Sequence, residues 1–353
     1  MKWQWLFALR GELTKRQSLW LSVAGLIFTL IVWVLVTSGE NPLISRTAFP
    51  HPLRVLGAFR DLYVENELIK NIARSVGLNL GGYIKAVLYA IPVGFLIGLV
   101  PMFRGAFQRM VDAVRFLPLT ALTIMFIIWY GIYAEAKINF LAFGIFIYLL
   151  PIVVQRIDEV EDVYLKTVYT LGAGYWQTIR TVYLPSVMSR LSDDIRILTA
   201  ISWTYIIVAE TSADQGGIGS LIYRTGQRMS RVDKTIACLI VIMLIGIFQD
   251  MIFKYLDRKF FPHKYQLKTT YESKKYLKET TLTDVIAGFS LSILTWIFLG
   301  VYVILSADEY FGILGNIKLL SYLFGETLWT IDVLFLSILG YQLYQLYRKF
   351  VAK

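Results

Sequence analysis

Long apolar runs separated by short charged segments set the pattern of the chain. A helix crossing about 30 Å of hydrocarbon needs about 20 mostly apolar residues. Runs that qualify lie near 19–36, 83–100, 116–132, 138–154, 195–209, 235–253, 284–305 and 328–346, so the pattern predicts eight spans, some of them short. Helices are expected because every backbone polar group must be satisfied inside lipid, and the alternation of a membrane β-barrel is absent. The fold class is therefore all-α and polytopic. Ahead of the second span, Leu56, Phe59, Leu62 and Leu68 have helical spacing over 53–71, behind a stretch broken by Pro42, Pro50 and Pro52. The first 18 residues read as an interfacial helix with Trp3 and Trp5, without the small-residue cleavage site of a signal peptide.

Composition changes this picture little. Of the 353 residues 56% are hydrophobic and 17% charged, against about 45–50% and about 25% in soluble proteins. That excess excludes an ordinary soluble enzyme and a disordered chain. The net charge of +10, from 35 basic and 25 acidic residues, is explained by topology. If the N-terminus is cytoplasmic, eight spans return the C-terminus to the cytoplasm, and the inner segments then carry about twice the Lys and Arg of the outer ones. No nucleic-acid partner is implied. A single cysteine, Cys238, excludes an internal disulfide framework and reads as a small core hydrophobe. The two histidines, His51 and His263, read as loop residues and leave little for metal or triad chemistry. No cofactor and no metal are expected.

The informative polar exception is 155–196. A charged helix from Asp158 runs to Leu171-Gly172-Ala173-Gly174; a short amphipathic helix with Tyr175, Trp176, Ile179 and Val182 near one face follows and is expected to stop at Leu184-Pro185. This resembles the EAA loop of permease subunits of binding-protein-dependent ABC importers. Gly172, Val182, Leu184 and Pro185 fit that loop's spacing, whereas the triplet Lys166-Thr167-Val168 stands where the family has Glu-Ala-Ala. Further stretches are similar to the nitrate/taurine/sulfonate branch: Ile128-Trp129-Tyr130-Gly131 with Ala136-Lys137-Ile138, Ser202-Trp203 leading to Ala209-Glu210, and Gly216-Gly217-Ile218-Gly219.

The resemblance implies a type I importer fold of about six core spans over 19–257, with 155–196 as its coupling loop. It implies a second permease copy, ABC ATPase subunits, an external substrate-binding protein and a bacterial inner membrane. ATP hydrolysis belongs to the partner, since no Walker A pattern occurs in this chain. Gly172, Tyr175, Trp176, Ile179, Arg180, Val182, Leu184 and Pro185 become the coupling element, with Tyr175, Trp176 and Ile179 as apolar anchors and Arg180 at the rim. The alternative for these aromatics is anchorage to the chain's own inner loops. The substrate class is a small anion of the nitrate, taurine, sulfonate or bicarbonate type, with vitamin-like or pyrimidine-precursor solutes as the alternative. A self-sufficient channel or secondary transporter would show paired mid-membrane charges and inverted repeats, which the core spans lack.

Several residues carry two readings. Trp203 and Glu210, seven apart on one helix, fit either a path lining or a structural contact. Trp129 and Tyr130 fit a gate or an aromatic belt, and Lys137 an anion contact or an interface marker. Gly216, Gly217 and Gly219 fit contact with a docked binding protein or a turn alone. Gly77-x3-Gly81 and Gly94-x3-Gly98 permit close helix approach, within the chain or to a second copy. Asp332, acidic within an apolar run, needs a polar contact. Beyond 257, a basic linker 258–282 and a two-helix extension 283–353 read as accessory, packed on the outside of the core.

Overall fold

A computed structural model describes residues 14–39, 44–212, 216–264, 282–312 and 318–351. The expected interfacial helix and most of the basic linker lie outside them. Every regular element among the described residues is helical: α1 (Lys15–Thr37), α2 (Pro52–Glu65), α3 (Leu68–Leu99), α4 (Pro101–Val114), α5 (Leu119–Tyr130), α6 (Ala134–Asp158), α7 (Asp162–Thr170), α8 (Tyr175–Thr178), α9 (Leu184–Ser212), α10 (Ile218–Tyr223), α11 (Val232–Phe260), α12 (Leu282–Phe311), α13 (Leu319–Phe324) and α14 (Leu328–Val351). Contacts divide the chain into two units, 1–67 with 222–240, and 68–221 with 241–353.

In the first unit, a capping box between Thr14 and Gln17 opens α1, whose most apolar stretch has no residue buried in protein. His51 is not a plain loop residue: its Nδ1 accepts the Leu53 N–H at 3.3 Å and caps α2. Glu67, at φ 48°, breaks the chain after α2, so Leu68 opens the next helix instead of extending the outer one. Cys238 is fully buried, as a core hydrophobe would be.

In the second unit α3 is the central post. It is a 32-residue helix that begins 15 residues before the apolar run at 83–100. One face meets α6, where Leu141, Val153 and Ile157 fill the spaces left by Gly82, Gly94 and Gly98. A second face meets the extension: Thr327 sits against Gly77, Thr330 against Gly81, and Thr330 Oγ1 donates to the Gly77 carbonyl at 3.2 Å. The first small-residue pair thus receives the extension and the second receives α6. Glu326 accepts the Ala134 N–H at 3.2 Å, capping α6. Asp332 finds its polar contact inside the extension, accepting from the hydroxyls of Tyr302 and of Tyr310, the latter at 2.8 Å.

The expected third span, 116–132, holds only α5, which forms with α4 before it a pair bent by 107°. Pro118 caps α5, and a proline disfavours helix in the residue before it. The 12 residues of α5 reach only about 18 Å, too little to cross alone. Among the described residues, five helices are long and apolar enough to cross a membrane, or six if the bent pair is one span. α9 falls outside that count because Arg190, Asp193, Asp194 and Arg196 charge its first half.

A Cβ at Gly77 lies 2.2 Å from Thr327 Oγ1 and 2.9 Å from Thr327 Cβ. Gly77→Val is therefore expected to displace the extension, at about 1–3 kcal/mol for overpacking, and to raise protease cleavage within 319–351. Unchanged protection would show that this groove does not hold the extension.

Candidate functional site

Two regions carry the candidate chemistry, one leading into α9 and one at its end. At the start, Asp162 favours the N-terminus of α7, and Gly172 at φ 79° closes the helix, its N–H bonding the Tyr169 carbonyl at 3.0 Å. The chain then re-enters helix at Tyr175 and does not stop at Leu184-Pro185. A π-turn over Ile179–Tyr183 precedes the proline, with the Leu184 N–H bonding the Ile179 carbonyl five residues back. This register shift carries the helix past Pro185, which has no N–H to place. Residues 175–212 form one continuous helix, and Trp176 to Glu210 is about 50 Å along it.

The π-turn also redistributes the expected face. Tyr175 and Trp176 are 85% and 74% exposed, and Leu171 stands out beside them. Arg180, Leu184 and Pro185 are exposed, Ile179 is half-buried, and Val182 packs on this chain's own core. The apolar surface offered outward is thus Leu171, Tyr175 and Trp176, with Val163 and Tyr164 of α7, and Val182 is a core contact.

Ion pairs fix the base of this loop. Arg156 donates to both oxygens of Asp194 at 2.7 Å and to Glu159 at 2.7 Å, and Arg190 donates to the Glu159 carbonyl at 2.8 Å. His263 is tied in as well, its Nε2 lying 3.0 Å from the Ser189 hydroxyl. Hydrogen bonding from Arg156 holds the Glu159 carboxyl below the usual carboxylate range. The clasp is therefore complete above about pH 4.3, the ordinary glutamate value, and is lost as pH falls through the lower native value. Amide-exchange protection over 184–196, corrected for intrinsic rates, is expected to fall as pH drops below the ordinary glutamate value and to depend on pH much less in Arg156→Met, where of the two arginines only Arg190 still faces Glu159.

The other end is a polar ladder. Asn71, Ser75, Asn79 and Tyr83 recur every four residues on one face of α3 and are all buried. Asn71 Oδ1 accepts the Gly217 N–H at 2.8 Å. Ser75 donates to Glu210 at 2.6 Å and accepts the Ile218 N–H at 2.8 Å. The Ser202 hydroxyl donates to Asn79 at 3.0 Å, and the Tyr83 hydroxyl donates to the Ile195 carbonyl. Glu210, with no exposed surface, also accepts the Gly219 N–H at 2.7 Å. Gly216 and Gly217, at φ 93° and 99°, bring the loop close enough that a Cβ on Gly217 would lie 2.2 Å from Glu210 Oε1.

The four path candidates do not form one site. Trp203 is buried and donates to Gln249 at 2.8 Å, and Glu210 is enclosed by the ladder, so neither lines an open path in this conformation. Trp129 and Tyr130 are exposed at the end of α5, both rings against Phe126. Asn71 and Ser75 escape a reading that seeks ionisable groups; their signal is a polar residue every fourth position of an apolar helix.

Residues 90–262 match the family of binding-protein-dependent transport system inner membrane components. The taurine transport system permease protein TauC of Escherichia coli (strain K12) is 27% identical over 267 residues, covering 74% of this chain and 93% of that protein. A putative aliphatic sulfonates transport permease protein, SsuC of Bacillus subtilis (strain 168), is 24% identical over 233 residues, covering 65% and 82%. Among solved structures, an inward-facing MetNI methionine ABC transporter superposes with a TM-score of 0.50 at 16% identity, over 55% of this chain and 95% of that one. The matched family segment contains residues 155–196 and the whole of α9, and ends before α12.

Proposed function

Because residues 90–262 match the binding-protein-dependent transport system inner membrane components, a family whose partners are an ATPase subunit and a substrate-binding protein, we propose that the chain carries a small sulfonate-type anion across the inner membrane as one of two copies. The observation that carries this reading is the continuous helix 175–212, with exposed aromatics at one end and the Glu210 ladder at the other. The exposed end fits a groove on an ATPase, as helix-in-groove recognition does. The clasp of Arg156 and Arg190 makes that end rigid, so movement of the ATPase reaches the Glu210 end as a rigid-body displacement. The ladder ties α3 to α9, so the two move together. The Glu210 end then faces the binding protein, both termini lie on the ATPase side, and lipid covers the apolar face of α1. The TauC and SsuC relatives support a sulfonate over other anions.

In proteoliposomes holding the permease, its ATPase and its binding protein, labelled taurine or ethanesulfonate is expected to accumulate only when ATP and binding protein are both present. Flux without ATP would instead identify a channel or secondary transporter.

A further inference from the structure

Near the Glu210 end, two buried polar groups lie outside the ladder. Lys137, the fourth residue of α6, is only 5% exposed, yet it lines an open-sided cleft with Thr123, Phe126, Ile127, Phe140 and Ala209. Thr123 is 6% exposed, and its hydroxyl oxygen has no hydrogen-bond partner among the described residues, not even the carbonyl of the preceding turn. A buried hydroxyl normally finds a partner, and leaving it without one is destabilising. Valine has the same shape and would avoid that loss, so the hydroxyl is not there for the fold.

Electrostatics narrows what could complete it. Lys137 is close enough for its positive charge to act on Glu210. Glu210 offsets the cost of burying an ammonium, while its own oxygens are occupied by Ser75 and Gly219. The cleft thus presents a cation and a hydroxyl donor among apolar and aromatic walls, and no carboxylate among the described residues lines it. Such a site suits an oxyanion on a short apolar stem.

Resting on the permease reading, we propose that Thr123 and Lys137 form a way-station for the head of a short alkanesulfonate. The ammonium and the hydroxyl donate to the sulfonate oxygens, and Phe126 and Phe140 face the stem. In the present conformation the hydroxyl oxygen is closed off from solvent, so the anion enters when the cleft opens during transport.

The test uses the full complex in proteoliposomes, with saturating binding protein loaded with labelled ethanesulfonate, and reads ethanesulfonate taken up per ATP hydrolysed. Thr123→Val is expected to lower that ratio about tenfold, the value of one hydrogen bond to a charged group. Lys137→Gln is expected to lower it further, and Thr123→Ser to restore it. A purely structural hydroxyl predicts the reverse, since valine would leave the ratio unchanged or raise it, and that result overturns the way-station. If the wild-type complex shows no ATP-driven uptake of ethanesulfonate at all, the transport reading fails first and the way-station with it.

Discussion

Aspartate at both Tyr175 and Trp176 is expected to strip the ATPase subunit from the purified complex while leaving the permease folded. Both side chains stand largely in solvent, and substitutions at such positions usually change stability by less than about 0.5 kcal/mol. At an interface the same residue types dominate binding, with hot spots costing at least about 2 kcal/mol each. Two of them lower affinity by about a thousandfold, before any charge repulsion is added. Val182→Asp is the control with the opposite signature. It places a carboxylate against this chain's own core, so it reduces the yield of folded permease and not its affinity. ATPase retained at wild-type levels by the double variant would exclude this surface as the contact.

The second large effect is expected at Gly217. Its φ of 99° is open to glycine and strained for any other residue, and its Cβ would fall 2.2 Å from a Glu210 oxygen. Valine therefore forces the carboxylate away from Ser75 and Gly219. Leaving that buried carboxyl without its donors costs about 1–3 kcal/mol, with about 1–3 kcal/mol of backbone strain in addition. That is a large part of the about 5–15 kcal/mol that holds a domain folded. Gly217→Val is expected to abolish recovery of folded permease from detergent. Gly172→Ala makes the contrast: φ is 79° there too, but nothing lies within 4 Å of its Cβ. Only the backbone term of about 1–3 kcal/mol remains, so folded yield should fall far less than in Gly217→Val. Equal loss in both variants, measured as folded yield by size-exclusion chromatography, would contradict the assignment of Gly217 to the ladder.

Much of the membrane architecture is legible in the sequence because hydrocarbon is an unforgiving solvent. Long apolar runs placed α1, α3, α6 and α11, and the Gly172 turn and its aromatic flank located the exposed loop. What the sequence hid is local backbone geometry. Pro185 signals a helix stop by its own chemistry, and only the π-turn before it lets the rod continue. Pro118 sits inside an apolar run, so hydropathy reads through a bend of 107°. The ladder was hidden because Asn71, Ser75 and Asn79 are uncharged, and their partners return 123 to 146 residues later. Trp203 and Glu210 were found as unusual residues, but spacing alone cannot say whether a side chain lines a path or packs against Gln249 and Ser75. The extension's seat on Gly77 and Gly81 could be read only as a surface waiting for some helix.

The central claim is that the exposed turn at Trp176 is where the energy of a separate ATPase enters the permease. A thiol placed there tests it directly. Cys238 is the sole cysteine and is buried, so Trp176→Cys offers one reactive site. In membranes containing the assembled transporter, a short bifunctional thiol cross-linker is expected to join position 176 to a cysteine in the ATPase groove, with a yield that changes when ATP is bound. A cross-link to this chain alone, or none in either nucleotide state, would contradict the claim.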